Sequence, residues 1–147
     1  MIFIDTNIWC YYLDARLPEH EGVVEPVRKA LREEAIGTNT VVAVELAHYL
    51  SRSLDGAGMR EAMETFTSLG NLIIDELDRR LLDDSIDYLA RYAASHGLGG
   101  RDSTIIASIM RLGATTLYTH DRSLGALATE LGKELVDPVQ GEPYPDV

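Results

Sequence analysis

The chain has 147 residues, a net charge of −11, 46% hydrophobic and 25% charged residues. That length buries one ordinary core, and the composition is that of a globular chain and not of a disordered one. The sequence shows no apolar run near the roughly 18–20 residues of a membrane span, no signal-peptide pattern, and only Cys10, so neither an internal disulfide nor a cysteine zinc cluster is expected. These features point to a cytoplasmic protein. The acidic balance opposes a general nucleic-acid binder, whose phosphate contacts need Lys and Arg.

Ile2-Phe3-Ile4 is a short apolar run without alternation, the mark of a strand buried on both faces of a parallel sheet. Asp5, Thr6 and Asn7 follow it. Asp5 by itself reads as a helix cap, but an acid placed at the carboxyl end of a buried strand also stands where open α/β sheets bind ligands. A short helix over 7–13 follows, then a loop at 17–22 and a helix over 23–34 with Pro26 in its first turn. A second strand covers 35–38. Asn39 or Thr40 caps the next helix, which runs to about Ser53, has Val42, Ala43, Leu46, Ala47 and Leu50 as its apolar face, and carries Glu45 at the border.

The Asp55–Gly58 turn opens a helix to about Leu69, and Leu72-Ile73-Ile74 forms a third strand. Asp78 caps a helix with the stripe Leu82, Ile86, Leu89 and Ala93, ended by Gly97. Asp83, Asp84 and Asp87 lie off that stripe on a solvated face. Arg101 or Asp102 opens a helix with Ile105, Ile106, Ile109 and Met110 inside, closed by Gly113. A fourth strand covers 115–119, Asp121 precedes a helix over 122–131, and 134–136 forms an edge strand. The tail Asp137–Val147 holds three of the five prolines and is expected to wrap the surface or move. Nothing in 1–147 divides the chain. Strands alternating with helices imply one α/β/α three-layer sandwich with a mostly parallel sheet.

Topology then gathers the acids. Asp5 follows the first strand and Asp121 the fourth. Asp102 opens the helix feeding the fourth strand, and Glu45 is about six residues, roughly 9 Å, into the helix after the second. All four fall on the carboxyl rim. Four carboxylates together repel unless protonated or neutralised, and a hard divalent cation such as Mg²⁺ with its oxygen ligands answers that charge. One Cys and scattered His residues do not form a soft-metal site.

FIDTN at 3–7, the glutamate in VVAVEL at 41–46 and RDSTIIASIMRLGATTLYTHD at 101–121 together resemble the PIN-domain ribonucleases, most of all the VapC type of toxin from toxin–antitoxin pairs. The resemblance covers nearly the whole chain in order. It implies a three-layer α/β/α fold and Mg²⁺- or Mn²⁺-dependent cleavage of RNA, leaving a 5′-phosphate and a 3′-hydroxyl. It places the metal and catalytic site on Asp5, Glu45, Asp102 and Asp121, with Asn7 and Thr119 supporting it by hydrogen bonds. It also implies a cognate antitoxin and a homodimer, for which the helices of residues 40–69 offer a surface. One departure is Ser123, at a position where the family often has a further acid.

The surface stays acidic with the four site acids set aside, so phosphate contacts must be local. Arg101 and Arg122, beside site acids, are the candidates. His120 reads as a loop residue, with a general base or a phosphate contact as the alternatives, and His48 lies three residues after Glu45. Cys10 reads as a core residue, and Trp9 and Tyr12 as core or dimer contacts. Competing readings are a PIN-like RNA-binding or scaffold domain without useful catalysis, a phospho-receiver or phosphatase, and a DNA flap nuclease. A receiver needs a lysine beyond a later strand, and Lys29 and Lys133 are poorly placed. A flap nuclease needs DNA-binding elements for which this length leaves little room.

Overall fold

The computed structural model describes residues 1–140. Five strands, β1 (Ile2–Ile4), β2 (Ile36–Asn39), β3 (Leu72–Asp75), β4 (Thr116–Tyr118) and β5 (Glu134–Val136), form one all-parallel sheet in the order β3-β2-β1-β4-β5. The helices are α1 (Thr6–Leu13), α2 (His20–Glu33), α3 (Thr40–Ser51), α4 (Gly56–Thr67), α5 (Arg79–His96), α6 (Gly100–Leu112) and α7 (Arg122–Glu130).

Chain direction explains the layers. The links from β1 to β2 to β3 step one way along the sheet, and those from β3 to β4 to β5 step the other. Right-handed crossovers therefore put α1–α4 on one face and α5–α7 on the opposite face. The order reverses between β1 and β4, whose register pairs Ile2 with Thr116 and Ile4 with Tyr118. That reversal opens a crevice at the carboxyl ends of β1 and β4.

Both faces of β1 are covered, so Phe3 and Ile4 are fully buried with Ile8, Trp9, Ile105, Ile106 and Leu117 in one core. Trp9 meets Phe66 edge-on at 4.9 Å between ring centres, which ties α1 to α4. A side chain on Gly37 of β2 would come within 3.1 Å of Leu112, so the glycine lets the end of α6 lie close on the sheet. Gly113 ends α6 in the left-handed conformation, at φ 69°.

Three expectations need correction. Helix α2 begins at His20 rather than 23, so Pro26 lies inside it and not in the first turn. Its polar first turn is anchored laterally: His20 Nδ1 is 2.8 Å from the Tyr11 carbonyl oxygen. On α5 Leu81 and Ser85 are buried, and Tyr88, Leu89 and Tyr92 pack half-buried on the core, so of the expected stripe Leu82, Ile86, Leu89 and Ala93 only Leu89 faces inward. Leu82 and Ile86 are 45% and 52% exposed. On α6 the buried run ends at Ile109, and Met110 turns outward. Asp83 and Asp87 are exposed as expected, whereas Asp84 is half-buried. The start of the tail, Pro138–Gln140, is a 3₁₀ turn packed on α2. The rest of the expected tail lies outside the described residues.

Candidate active site

The crevice between β1 and β4 has Asp5 on one side and Thr119 on the other. The Asp5 carboxylate is fully buried. Its Oδ1 accepts a hydrogen bond from the Thr6 amide at 2.6 Å, so Asp5 does cap α1, and a second from Arg101 Nη1 at 3.0 Å. Its Oδ2 accepts from the Thr119 hydroxyl at 2.8 Å. Thr119 in turn accepts from the Asp121 amide at 3.0 Å. One threonine thus fixes both the first acid and the start of the loop carrying the last.

Glu45 and Asp102 arrive on helices from opposite layers, and Asn39 sets their relation. Its Oδ1 caps α3 through the Val42 amide at 2.8 Å, while its Nδ2 donates to the Thr104 carbonyl at 3.2 Å and to Ser108 Oγ at 3.1 Å on α6. The start of α3 is thereby tied to α6 beneath the rim. Asp102 lies in the first turn of α6, where the helix dipole favours an acid.

The three acids meet on one guanidinium. Besides Asp5, Arg101 reaches Glu45 Oε1 with Nε at 3.4 Å and Asp102 Oδ1 with Nη2 at 2.5 Å. Burial pushes the Glu45 carboxyl above its ordinary range; Arg101 opposes that shift, while Asp5 and Asp102 add to it. Burial does the same to Asp102, again opposed by Arg101 and reinforced by Asp5 and Asp121. For Arg101 burial works against its charge, but Asp5, Asp102 and Glu45 outweigh it, so its proton is held more firmly than usual. The site is strongly negative, and Arg101 is the cation that offsets it.

The donor set fits a hard divalent cation. Asp102 Oδ1 and Asn7 Oδ1 are buried and receive no well-formed hydrogen bond among the described residues. The unpartnered Asn7 Oδ1, and Asp102 Oδ1 held only by the Arg101 charge, are oxygen donors of the kind Mg²⁺ or Mn²⁺ takes. Among the described residues no three of His, Cys, Asp and Glu stand ready-made around an ion, because a guanidinium lies between the acids.

The structure places the other expected residues unequally. Asp121 does not touch Arg101; its carboxylate caps α7 through the Leu124 amide at 3.1 Å, and its charge is felt at Asp102. Asn7 lines a cleft of ≈ 330 Å³ with Glu45 and Arg101. Arg101 faces inward onto carboxylates. Arg122 is exposed and lines a second cavity of ≈ 340 Å³ with Thr119, His120 and Asp121. His120 is in a loop, but its Nδ1 is 2.8 Å from Asp137 Oδ2, which fixes the ring. The Cys10 thiol is pushed up to about 12 by burial and by Asp5, Glu45 and Asp14, so it is a protonated core group.

Sequence reading passed over Arg52, which lines the same cleft as Glu45 and His48. The signal was present: 45, 48 and 52 are spaced three and four apart, one stripe along a helix. It also passed over the group formed by Asp14, Arg16 and Tyr49. Arg16 Nε and Nη2 each donate to Asp14 at 2.8 Å, and the Tyr49 hydroxyl donates at 2.6 Å.

The PIN domain family profile matches residues 2–130. No curated protein matches the sequence significantly. Among solved structures, VapC20 of Mycobacterium tuberculosis, a sarcin–ricin loop cleaving toxin, is similar at 19% identity and a TM-score of 0.70, over 86% of this chain and 95% of that one. VapBC2 of Rickettsia felis, bound to a DNA fragment from its promoter, is similar at 18% identity and a TM-score of 0.65, over 92% and 98%. VapBC-1 of Haemophilus influenzae is similar at 20% identity and a TM-score of 0.68, over 94% and 98%. These likenesses show a shared fold.

Proposed function

The chain belongs to the PIN-domain family, and on that premise we propose that it is a Mg²⁺- or Mn²⁺-dependent endoribonuclease, the toxin of a toxin–antitoxin pair. The observation that carries the reading is the meeting of Asp5, Glu45 and Asp102, from three separate elements, at a single cationic group on the carboxyl rim. A scaffold has no physical need for such a repulsive set.

In this reading Asp5, Glu45 and Asp102 would hold the metal, Asp121 would add to the negative field, and Asn7 would support the cage by hydrogen bonding. The metal, when bound, supplies an activated water and stabilises the leaving oxygen. The protein does the positioning. Thr119 locks Asp5, and Asn39 sets the spacing of the helices bearing Glu45 and Asp102. Arg52 and His48 on one side, and Arg122 on the other, offer contacts to backbone phosphates flanking the scissile one. Hydrolysis would leave a 5′-phosphate and a 3′-hydroxyl.

The family and the assemblies crystallised for similar chains support a cognate antitoxin as partner. The expected dimer surface has support in an apolar groove between α3 and α4, lined by Ala43, Val44, Ala47, Met59 and Met63, with Val44 69% exposed. Incubating purified, partner-free protein with total cellular RNA tests the function. Discrete fragments formed with Mn²⁺ and abolished by chelator are expected. Folded protein that yields no metal-dependent product would favour an RNA-binding or scaffold role.

A further inference from the structure

The position of Arg101 has a consequence of its own for the acidic cage. Its three nitrogens contact three different carboxylates, and its side chain is only 31% exposed. Asp5 is the decisive partner. Both of its oxygens are engaged, Oδ2 by Thr119 and Oδ1 by Thr6 and Arg101. Of these donors only Arg101 carries charge and a long flexible stem.

A Mg²⁺-sized ion sits about 2.0–2.1 Å from its carboxylate oxygens. An ion on Asp5 Oδ1 would therefore press against a guanidinium hydrogen-bonded to the same oxygen. Two positive groups at that distance in a half-buried site repel strongly. An ion on that oxygen must displace Arg101.

We propose that Arg101 is a built-in competitor for the metal: it and a divalent cation are alternative counter-charges for Asp5, Glu45 and Asp102, so Arg101 sets the cation concentration at which the site loads. Loading turns the guanidinium out into the cleft lined by Arg52 and His48. There it joins the groups that face an RNA phosphate, so a single residue links metal loading to substrate binding. This rests on the metal-dependent reading above.

The test is a Mn²⁺ titration followed by electron paramagnetic resonance, with thermal unfolding in parallel, on wild type, Arg101→Gln, Arg101→Lys and Asp5→Asn. Hydrogen bonds to charged groups contribute enough that Arg101→Gln should bind Mn²⁺ at least about tenfold more tightly. Its unfolding midpoint should fall without metal, because three acids lose their counter-charge, and recover at saturating Mn²⁺. Arg101→Lys, which keeps the charge and loses the fork, should fall between. Equal or weaker Mn²⁺ binding by Arg101→Gln, with binding still lost in Asp5→Asn, would overturn the proposal while leaving the metal cage standing. If neither wild type nor Arg101→Gln binds Mn²⁺, the cage reading and the proposal fall together.

Discussion

Thr119 shows what one side chain can organise. Its hydroxyl donates to Asp5 and accepts from the Asp121 amide, so Thr119→Val frees the first acid without opening the core. We expect such a variant to stay folded and lose about tenfold in cleavage rate, as for other groups that orient metal ligands. Asp14 gives a second prediction, this time in pH. Hydrogen bonds from Arg16 and then Tyr49 hold its carboxyl well below the ordinary range. A depressed acid stabilises the fold above its unfolded value and loses that contribution as pH falls through its folded one. Asp14→Asn should therefore lower the unfolding midpoint at neutral pH, with the gap to wild type closing only under strongly acidic conditions. A gap independent of pH would contradict the assignment. At this scale Asp5, Glu45 and Asp102 were legible in the sequence, because spacing after strands and along helices fixes the rim. The inward turn of Arg101 was not, since adjacency in sequence says nothing about which way a long side chain folds.

Among the elements, α5 carries the plainest lesson. Two apolar lines run along it, and the richer one, from Leu82, was the natural choice from hydrophobicity. The helix buries the line that begins with Leu81 and Ser85 instead, and α5 packs mainly on α6. Leu81→Ala should cost about 2–4 kcal/mol in denaturant unfolding, while Leu82→Ser should stay within about 0.5 kcal/mol. The reverse ranking would mean the helix is turned. β1, β2 and β4 were easier to read, because they are short runs covered on both sides and need no choice of face; β3 lies at the sheet edge, and its Ile73 is 43% exposed rather than buried. The start of α2 was not readable, because contacts from Tyr11, distant in sequence, hold a first turn that lacks apolar residues. Asn39 was foreseen as a possible cap, but not its bond to α6. Asn39→Ala should cost about 1–3 kcal/mol through the lost cap and unpaired polar groups.

For the molecule as a whole, a charge of −11 has to be reconciled with the RNA substrate proposed for it. The structure sets cationic groups at both flanks of the acidic crevice: Arg52 in the cleft beside Glu45, and Arg122 in the cavity beside Asp121. Affinity should therefore depend on few phosphate contacts and fall only gently with salt. Arg52→Ala and Arg122→Ala should each raise KM several-fold with kcat little changed, as a steady-state assay on a labelled RNA would read. A large fall in kcat with KM unchanged would move either arginine from binding to chemistry. That helices cover a parallel sheet follows from the alternation of strands and helices. The strand order itself needs pairing information that no single segment carries.

The central claim is that the acids on the carboxyl rim form a metal-dependent RNA-cleaving centre. Its most direct measurement is cleavage of one defined RNA by wild type and by Asp5→Asn, each shown to be folded, with Mn²⁺ and with chelator, followed by analysis of the new ends. Wild type should cleave with Mn²⁺ and not with chelator, leaving new 5′-phosphates and 3′-hydroxyls, and Asp5→Asn should lose about a hundredfold or more in rate. Cleavage that persists in chelator or in Asp5→Asn, or that leaves 2′,3′-cyclic phosphates, would contradict it.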